Sequence, residues 1–513
     1  MRSYLTSGKA MKRTLAIFAC LAMLGAGTGC DGDGPIKDPS KINGPVDNKG
    51  EVVNPEAANK YALGLAEMDK LDKTAGGWTP ETCKSVADLF LGAAELQQSS
   101  MDKYFATAVY NAGAAYHRCQ NVEEARKHYK EVLDKDEKFH RARVQLARFD
   151  LAASNDVEIE AALKEFGRAV DDSEGQNVEA YVEIARLQMR RNNSVPDDGE
   201  PNDFERARKN LQRALAVDDG YMPAFNQLAL YYLERARQNA GDKSSSSSVA
   251  RGAKKTKVDS QAIDLALLVA SQGIRKNPNY GSLHNTAGLI YVEIGDLNNA
   301  VTRFGTARQL DPNFFEAHMN YAAVNLMFRG FGKAEDAYRQ ATKLRATDYD
   351  AHLGLALALR GQADSAPDGE KKLVEAEELI KKAKTLDANR PEAYFNHAIL
   401  VQGYRGKSAG EAGNKALEEA IALFLEFAKK AEGKAQFAEA VEDVNAVPTK
   451  TDKECMGAKA KTDKACKRGR VMDIKEIIDF NRQSAAEQKK LEEEAKVQAA
   501  MEEAGATGGG EQQ

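Results

Sequence analysis

The chain has 513 residues, 42% of them apolar and 7% aromatic, with a formal charge of −5 in which basic and acidic residues are interleaved. That balance leaves no electrostatic footprint for nucleic acid, and abundant Ala, Leu and Lys with few aromatics favour stacked helices over sheets. The length alone suggests several globular domains, an expectation that a repeat array breaks because each of its units contacts only its neighbours.

In sequence order, Met11-Lys12-Arg13-Thr14 precedes a ten-residue apolar run, Leu15–Leu24. This is too short to span a bilayer and has the form of a secretory signal, with Met11 as an alternative start. Small residues then lead through Gly25-Ala26-Gly27-Thr28-Gly29 to Cys30. The segment resembles bacterial lipoprotein signals. The resemblance implies that residues 1–29 are removed, that the Cys30 thiol is lipidated, and that the protein sits in the cell envelope, on the outer membrane facing the periplasm. Two features complicate it. Such signals usually carry Leu where this chain has Gly27, and Asp31 stands where enteric lipoproteins carry an inner-membrane retention signal. Gly27 and Gly29 also suit ordinary signal peptidase, which would leave a free thiol. Residues 30–55, rich in Gly, Pro, Asp, Asn and Lys, are expected to form a flexible tether.

Residues 56–431 read as helix pairs. The first, Asn59–Ala66 with Glu81–Gln97, is interrupted by a loop holding Trp78, the single tryptophan, expected to cap the array. Units follow at Ala106–Phe139, His140–Gln176, Asn177–Tyr221 and Met222–Tyr280, the last two with insertions at Asn193–Asp203 and around Ser244–Lys257. Gly281–Phe314 and Phe315–Asp348 then superimpose without a gap, a period of 34 residues. Gly288 falls over Ala322, Ala300 over Ala334, Phe304 over Tyr338 and Ala307 over Ala341. Tyr349–Arg390 and Pro391–Ala431 complete the run. With small Gly288, Ala300 and Ala307, aromatic Phe304 and the stop Asp311-Pro312, the sequence resembles the tetratricopeptide family. The implied fold is all-α: a right-handed superhelical solenoid of about nine helix pairs, followed by a helical segment over 432–504 and a disordered tail over 505–513.

Four further cysteines would meet an oxidising compartment after export. In antiparallel repeats the start of the helix at Cys83 meets the end of the helix at Cys119, while Cys455 and Cys466 bracket a short loop, so these are the expected disulfides. Zinc is the rival for the second pair, but it takes four ligands and the sequence has no histidine beyond His397. His284, His318 and His352 recur at intervals of 34. Packing accounts for them better than metal, since neighbouring helices lie about 8–10 Å apart. No phosphate loop, serine-nucleophile motif or His-Glu-xx-His pair appears, so no catalytic residue, cofactor or metal is assigned.

By the resemblance, the second, fifth, ninth and twelfth places of each first helix line a concave face, and Asn at the sixth place bonds a bound peptide backbone. Those places here include Tyr110, Asn111, Arg141, Val144, Arg148, Asn285, Leu289, Met319, Asn320, Leu326, Leu353 and Asn396, with Leu357 and Arg360 on the same helix as Leu353. The face runs from basic near Arg141 and Arg148 to apolar near Met319 and Leu326, suiting a partner with acidic and apolar parts. The expected function is a non-catalytic, membrane-anchored scaffold for envelope proteins. The combination resembles assembly lipoproteins of pilus secretins and outer-membrane insertion machines, and the tetratricopeptide lipoprotein of the myxobacterial gliding-motility complex. A soluble periplasmic chaperone and an accessory subunit of an envelope-polymer enzyme are the alternatives. Ile474, Ile477, Ile478 and Leu491 suggest a seam for a partner helix.

Overall fold

The computed structural model describes residues 51–74, 76–151, 156–242, 259–450, 455 and 464–507. The expected signal segment, Cys30, most of the expected tether, the insertion around Ser244–Lys257 and the last six residues lie outside them. Among the described residues the protein is an all-α helical repeat solenoid with no ladder of strands. It divides into two compact units, one ending at Asp296 and one beginning at Leu297.

The N-terminal unit is a succession of antiparallel hairpins. Helix α1 (Pro55–Asp72) pairs with α2 (Pro80–Met101), and α3 (Ala106–Arg118) with α4 (Val122–Lys135). Next come α5 (His140–Asp150) with α6 (Asp156–Asp172), then α7 (Val178–Arg191) with α8 (Asp203–Val217). The unit ends in α9 (Met222–Asp242), α10 (Ser260–Lys276) and α11 (Gly281–Ile294). The C-terminal unit opens with α12 (Leu297–Leu310) and continues through α13 (Phe315–Met327) and α14 (Phe331–Leu344). Two further pairs follow, α15 (Tyr349–Gln362) with α16 (Gly369–Leu386) and α17 (Glu392–Gly403) with α18 (Gly410–Ala431). Short α19 (Ala438–Asn445) and long α20 (Arg470–Thr507) come last.

Local chemistry sets the helix starts. Asn121, Asn177, Asn202, Asp259 and Asp348 each accept a backbone N–H of the first turn, and Thr79 and Thr82 form a reciprocal capping box. Packing then pairs small residues with rings. Ala322 and Ala334 are wholly buried and let α13 and α14 approach closely. Tyr338 of α14 lies over Gly354 of α15, where a Cβ would come within 2.4 Å of the ring. Gly113 meets Tyr129 and Gly64 meets Phe90 in the same way, at 2.9 and 2.7 Å.

Three features differ from, or sharpen, the sequence expectations. The array starts earlier than residue 56: Val53 is buried, and Gln97 accepts from Asn54 N at 2.7 Å and donates to Val52 O at 3.2 Å. One buried valine carries no periodic signal, so the tether ends sooner than composition suggests. The Asn193–Asn202 insertion is held down rather than loose. Asp203, wholly buried, accepts from Nε and NH2 of Arg191 at 2.6 Å each, from Arg206 at 2.6 Å and from Asn193 N at 2.9 Å. Arg206 also donates to Val195 O at 2.9 Å. Finally, α20 runs two residues past Gly505, into the expected disordered tail, and Ile474 and Ile478 are not available to a partner. They are buried with Phe424, Phe427 and Val444, so α19 and the first turns of α20 cover the last helix pair. Ile477 and Leu491 remain exposed.

Trp78 closes the other end. Its indole N–H donates to Asp72 at 2.8 Å, Asp72 is paired to Arg118 at 2.9 Å, and the guanidinium lies 5.5 Å over the indole ring. Beside it Cys83 and Cys119 are disulfide-bonded, with Cα atoms 6.4 Å apart. Cys455 and Cys466 form a second bridge across 5.6 Å. No helix among the described residues is long and apolar enough to cross a membrane.

Candidate partner-binding face

In each unit the first helices of successive pairs touch one another: α7, α9 and α11 in the N-terminal unit, and α13, α15 and α17 in the C-terminal unit. The candidate residues sit on these helices and on α3 and α5, but at different depths. Tyr110, Val144, Leu289, Met319, Leu326 and Leu353 are buried, as are Asn111, Asn285 and Asn320. Arg141, Arg148 and Asn396 are half-buried. The reason is geometric. Side chains that face inward and side chains that pack one first helix on the next lie within the same broad stripe, which sequence spacing does not divide.

The polar candidates are engaged within the protein. Asn111 donates its amide to Tyr61 at 2.7 Å. Arg141 stacks 4.9 Å over the Tyr110 ring. Arg148 is clamped between Glu179 and Glu183 of α7, with 2.7 Å to the latter, and Arg186 also pairs with Glu183 at 2.7 Å. Burial would lower the Arg148 pKa, but the two glutamates outweigh it and raise it. Burial likewise opposes ionisation of Glu183, and Arg186 with Arg148 overcomes it, holding that carboxyl below its ordinary range. Of the basic region read from Arg141 and Arg148, the charge of Arg148 is therefore neutralised by acids from the next pair.

The row of first helices in the C-terminal unit differs. Arg390 is paired with Asp350 at 2.7 Å, and Arg345 with Glu316 at 2.6 Å. Among the described residues Arg360, on the same α15 stripe as Leu353 and Leu357, has only the carbonyls of Asn396, at 3.3 Å to Oδ1 and 3.4 Å to the backbone oxygen. Burial, with no opposing attraction, pushes its pKa down to about 10. Asn396 spends its own amide on Glu392 O at 2.9 Å.

The histidine ladder is a packing device with a second use. His284, His318 and His352 are buried, and each donates Nε2–H at 2.9 Å to the carbonyl six residues earlier, on Pro278, Pro312 and Ala346. Tyr394 stands at the same place in its unit and sends its hydroxyl to Ala388 O at 3.2 Å. The bond ties each first helix to the turn before it. Nothing in the spacing of 34 residues announced a hydrogen bond; the recurrence of one donor-bearing residue type was the available signal.

Among the described residues one side-chain group could hold a cation: Glu377, His397 and Glu419, whose ligand atoms lie within 4.8 Å of one another. Positive side chains already fill that role. Arg405 bridges Glu419 and Glu377 at 2.7 and 3.2 Å, and Lys381 pairs with Glu377 at 2.8 Å. Lys384 donates to His397 Nδ1 at 3.0 Å, leaving Nε2 to carry the hydrogen toward Glu377. A metal would need that Nε2 lone pair, so the donor set as built suits ion pairing.

No family model matches the sequence, and no curated protein does. Solved structures do. The crystal structure of TTC0263, a thermophilic TPR protein of Thermus thermophilus, is 23% identical over 43% of this chain and 98% of its own, with a TM-score of 0.33. Pseudomonas aeruginosa PilF is 15% identical over 52% of this chain and 98% of its own, at 0.37. YrrB, described as a TPR protein with an unusual peptide-binding site, is 16% identical over 44% of this chain and 95% of its own, at 0.29. The likeness to each is one of fold.

Proposed function

We propose that the protein is a non-catalytic scaffold anchored through Cys30 to a bacterial envelope membrane, holding envelope proteins along its inner rows of first helices. The observation that supports this best is the rows themselves. Consecutive first helices touch within each unit, and rows of this kind line the surface that repeat arrays use for binding. Two disulfides agree with export, because such bridges persist in oxidising compartments. The anchored complex is of gliding-motility or pilus and secretion type, at the outer membrane facing the periplasm. A soluble periplasmic chaperone is the second reading, and Gly27 in place of the usual Leu is what favours it.

Two experiments test the proposal. Metabolic labelling with a radioactive fatty acid is expected to mark the wild type and not Cys30→Ser; an unlabelled wild type leaves the soluble chaperone. A photo-cross-linking residue at Leu357, on the inner side, is compared with one at Val374, exposed on α16. Protein adducts from Leu357 are expected. Adducts from Val374 alone would overturn docking along the inner row.

A further inference from the structure

A groove of about 360 Å³ lies between the second helices α8 and α10, with α9 packed against both. Glu205 and Arg208 of α8, Tyr232 and Arg235 of α9, and Gln261 and Leu265 of α10 line it. Glu205 accepts from Arg208 Nε at 2.9 Å and from the Tyr231 hydroxyl at 3.0 Å, and it pairs with Arg235. Burial opposes ionisation of Glu205, and these neighbours overcome it, holding the carboxyl below its ordinary range. Asp259, in the same wall, caps α10 by accepting from Gln261 N at 3.0 Å and Ala262 N at 3.4 Å. Two carboxylates therefore stand against two guanidinium groups, and the lining has no net charge. Arg208 NH2, the Nε–NH2 edge of Arg235, the Tyr232 hydroxyl and the Gln261 amide make no hydrogen bond among the described residues.

The lining selects among ligand chemistries. A strong anion would meet Glu205 and Asp259 as well as the arginines. An acyl chain would find little apolar wall beyond Leu265, Ala262 and the Tyr232 ring. A hydroxyl both donates and accepts, so a polyol suits a groove that offers both kinds of partner. One guanidinium edge holds two N–H groups in a fixed fork, matched by the oxygens of two adjacent hydroxyls. An aromatic ring gives the C–H face of a sugar a flat apolar support; Tyr232 is half-buried, its ring edge-on to buried Tyr231 at 5.1 Å. We propose that this groove binds a neutral hexose unit of a polysaccharide, with the Nε–NH2 edge of Arg235 on two adjacent hydroxyl oxygens and the Tyr232 ring against the sugar's C–H face. Its walls are second helices, so the site does not rest on docking along the inner rows.

Titration calorimetry on the full-length protein tests this with three tetrasaccharides. Maltotetraose and cellotetraose carry adjacent free hydroxyls at carbons two and three of each residue; in chitotetraose an acetamide replaces one of that pair. At least one of the two hexose tetramers is expected to bind about tenfold more tightly than chitotetraose, the effect of one hydrogen bond to a charged group. Arg235→Lys keeps the charge beside Glu205 and removes the fork, and is expected to weaken hexose binding about tenfold without lowering the melting temperature. Tyr232→Ala is expected to weaken it by a similar factor. No binding by either hexose tetramer, chitotetraose bound as tightly as both, or wild-type affinity in Arg235→Lys or in Tyr232→Ala would each overturn the proposal.

Discussion

At the scale of single residues, the repeat is kept in order by contacts that tolerate little change. The bond from His318 to Pro312 O asks for a donor at a fixed reach, and Tyr394 supplies the same bond with a hydroxyl. His318→Tyr is therefore expected to fold with nearly unchanged stability. His318→Leu should lose about 1 kcal/mol, measured by urea unfolding. The pH dependence follows from the same geometry. Burial lowers the His318 pKa, with Arg308 adding to the effect against the Pro312 carbonyl and the Asp336 and Asp311 carboxylates. Its buried Nδ1 has no partner to receive a second hydrogen. Burial lowers His117, His128, His140 and His397 likewise. The unfolded state takes up these protons first, so stability should be full above about pH 6.5 and fall as the pH drops through the folded values. Thermal melts between pH 7.5 and 5 check the sign, and His318→Tyr should flatten part of the slope. Gly354→Val, by contrast, drives a side chain into the Tyr338 ring. A loss of about 1–3 kcal/mol is expected.

At the scale of elements, insertions and ends are pinned by a few charged or apolar contacts. Asp203 neutralises Arg191 and Arg206 at once. Burial raises its pKa, but the two arginines prevail and hold the carboxyl below its ordinary range. Asp203→Asn leaves the buried Arg206 without its carboxylate and Arg191 with Glu160 alone, and a cost of about 3–5 kcal/mol is expected, with new proteolytic cleavage inside Asn193–Asn202. Helix α20 is anchored only at its start. Ile474→Asp should release it and α19 from α18, seen as faster amide exchange in Val444 and Phe437, while α1–α8 keep their protection.

At the scale of the whole molecule, stability is a sum of neighbouring contacts, because each pair touches mainly the next. The Cys83–Cys119 bridge joins α2 to α3 and closes a separation of 36 residues. Opening it with Cys83→Ala/Cys119→Ala is expected to cost about 3–4 kcal/mol. That loss should appear as early melting of α1–α4, followed by amide exchange, and should leave the melting of α13–α18 in place.

The alternation of small and aromatic residues at a fixed period was enough to write down the helix pairs, their order and both cysteine partners. Those features depend on local spacing and on antiparallel succession, which a linear pattern records directly. Where the inner stripe opens to solvent was not written there. Met319 and Leu326 look like groove residues by place and are core by burial, because the depth of a side chain depends on how closely the next first helix approaches. The charge of the stripe was hidden for a similar reason. Arg148 reads as basic until folding brings Glu179 and Glu183 from the following pair against it, and Arg360 reads as one arginine among many until folding leaves it without an acid among the described residues. Pairing across repeats is a property of three-dimensional neighbours, so only the tertiary structure decides which charges are spent and which is left.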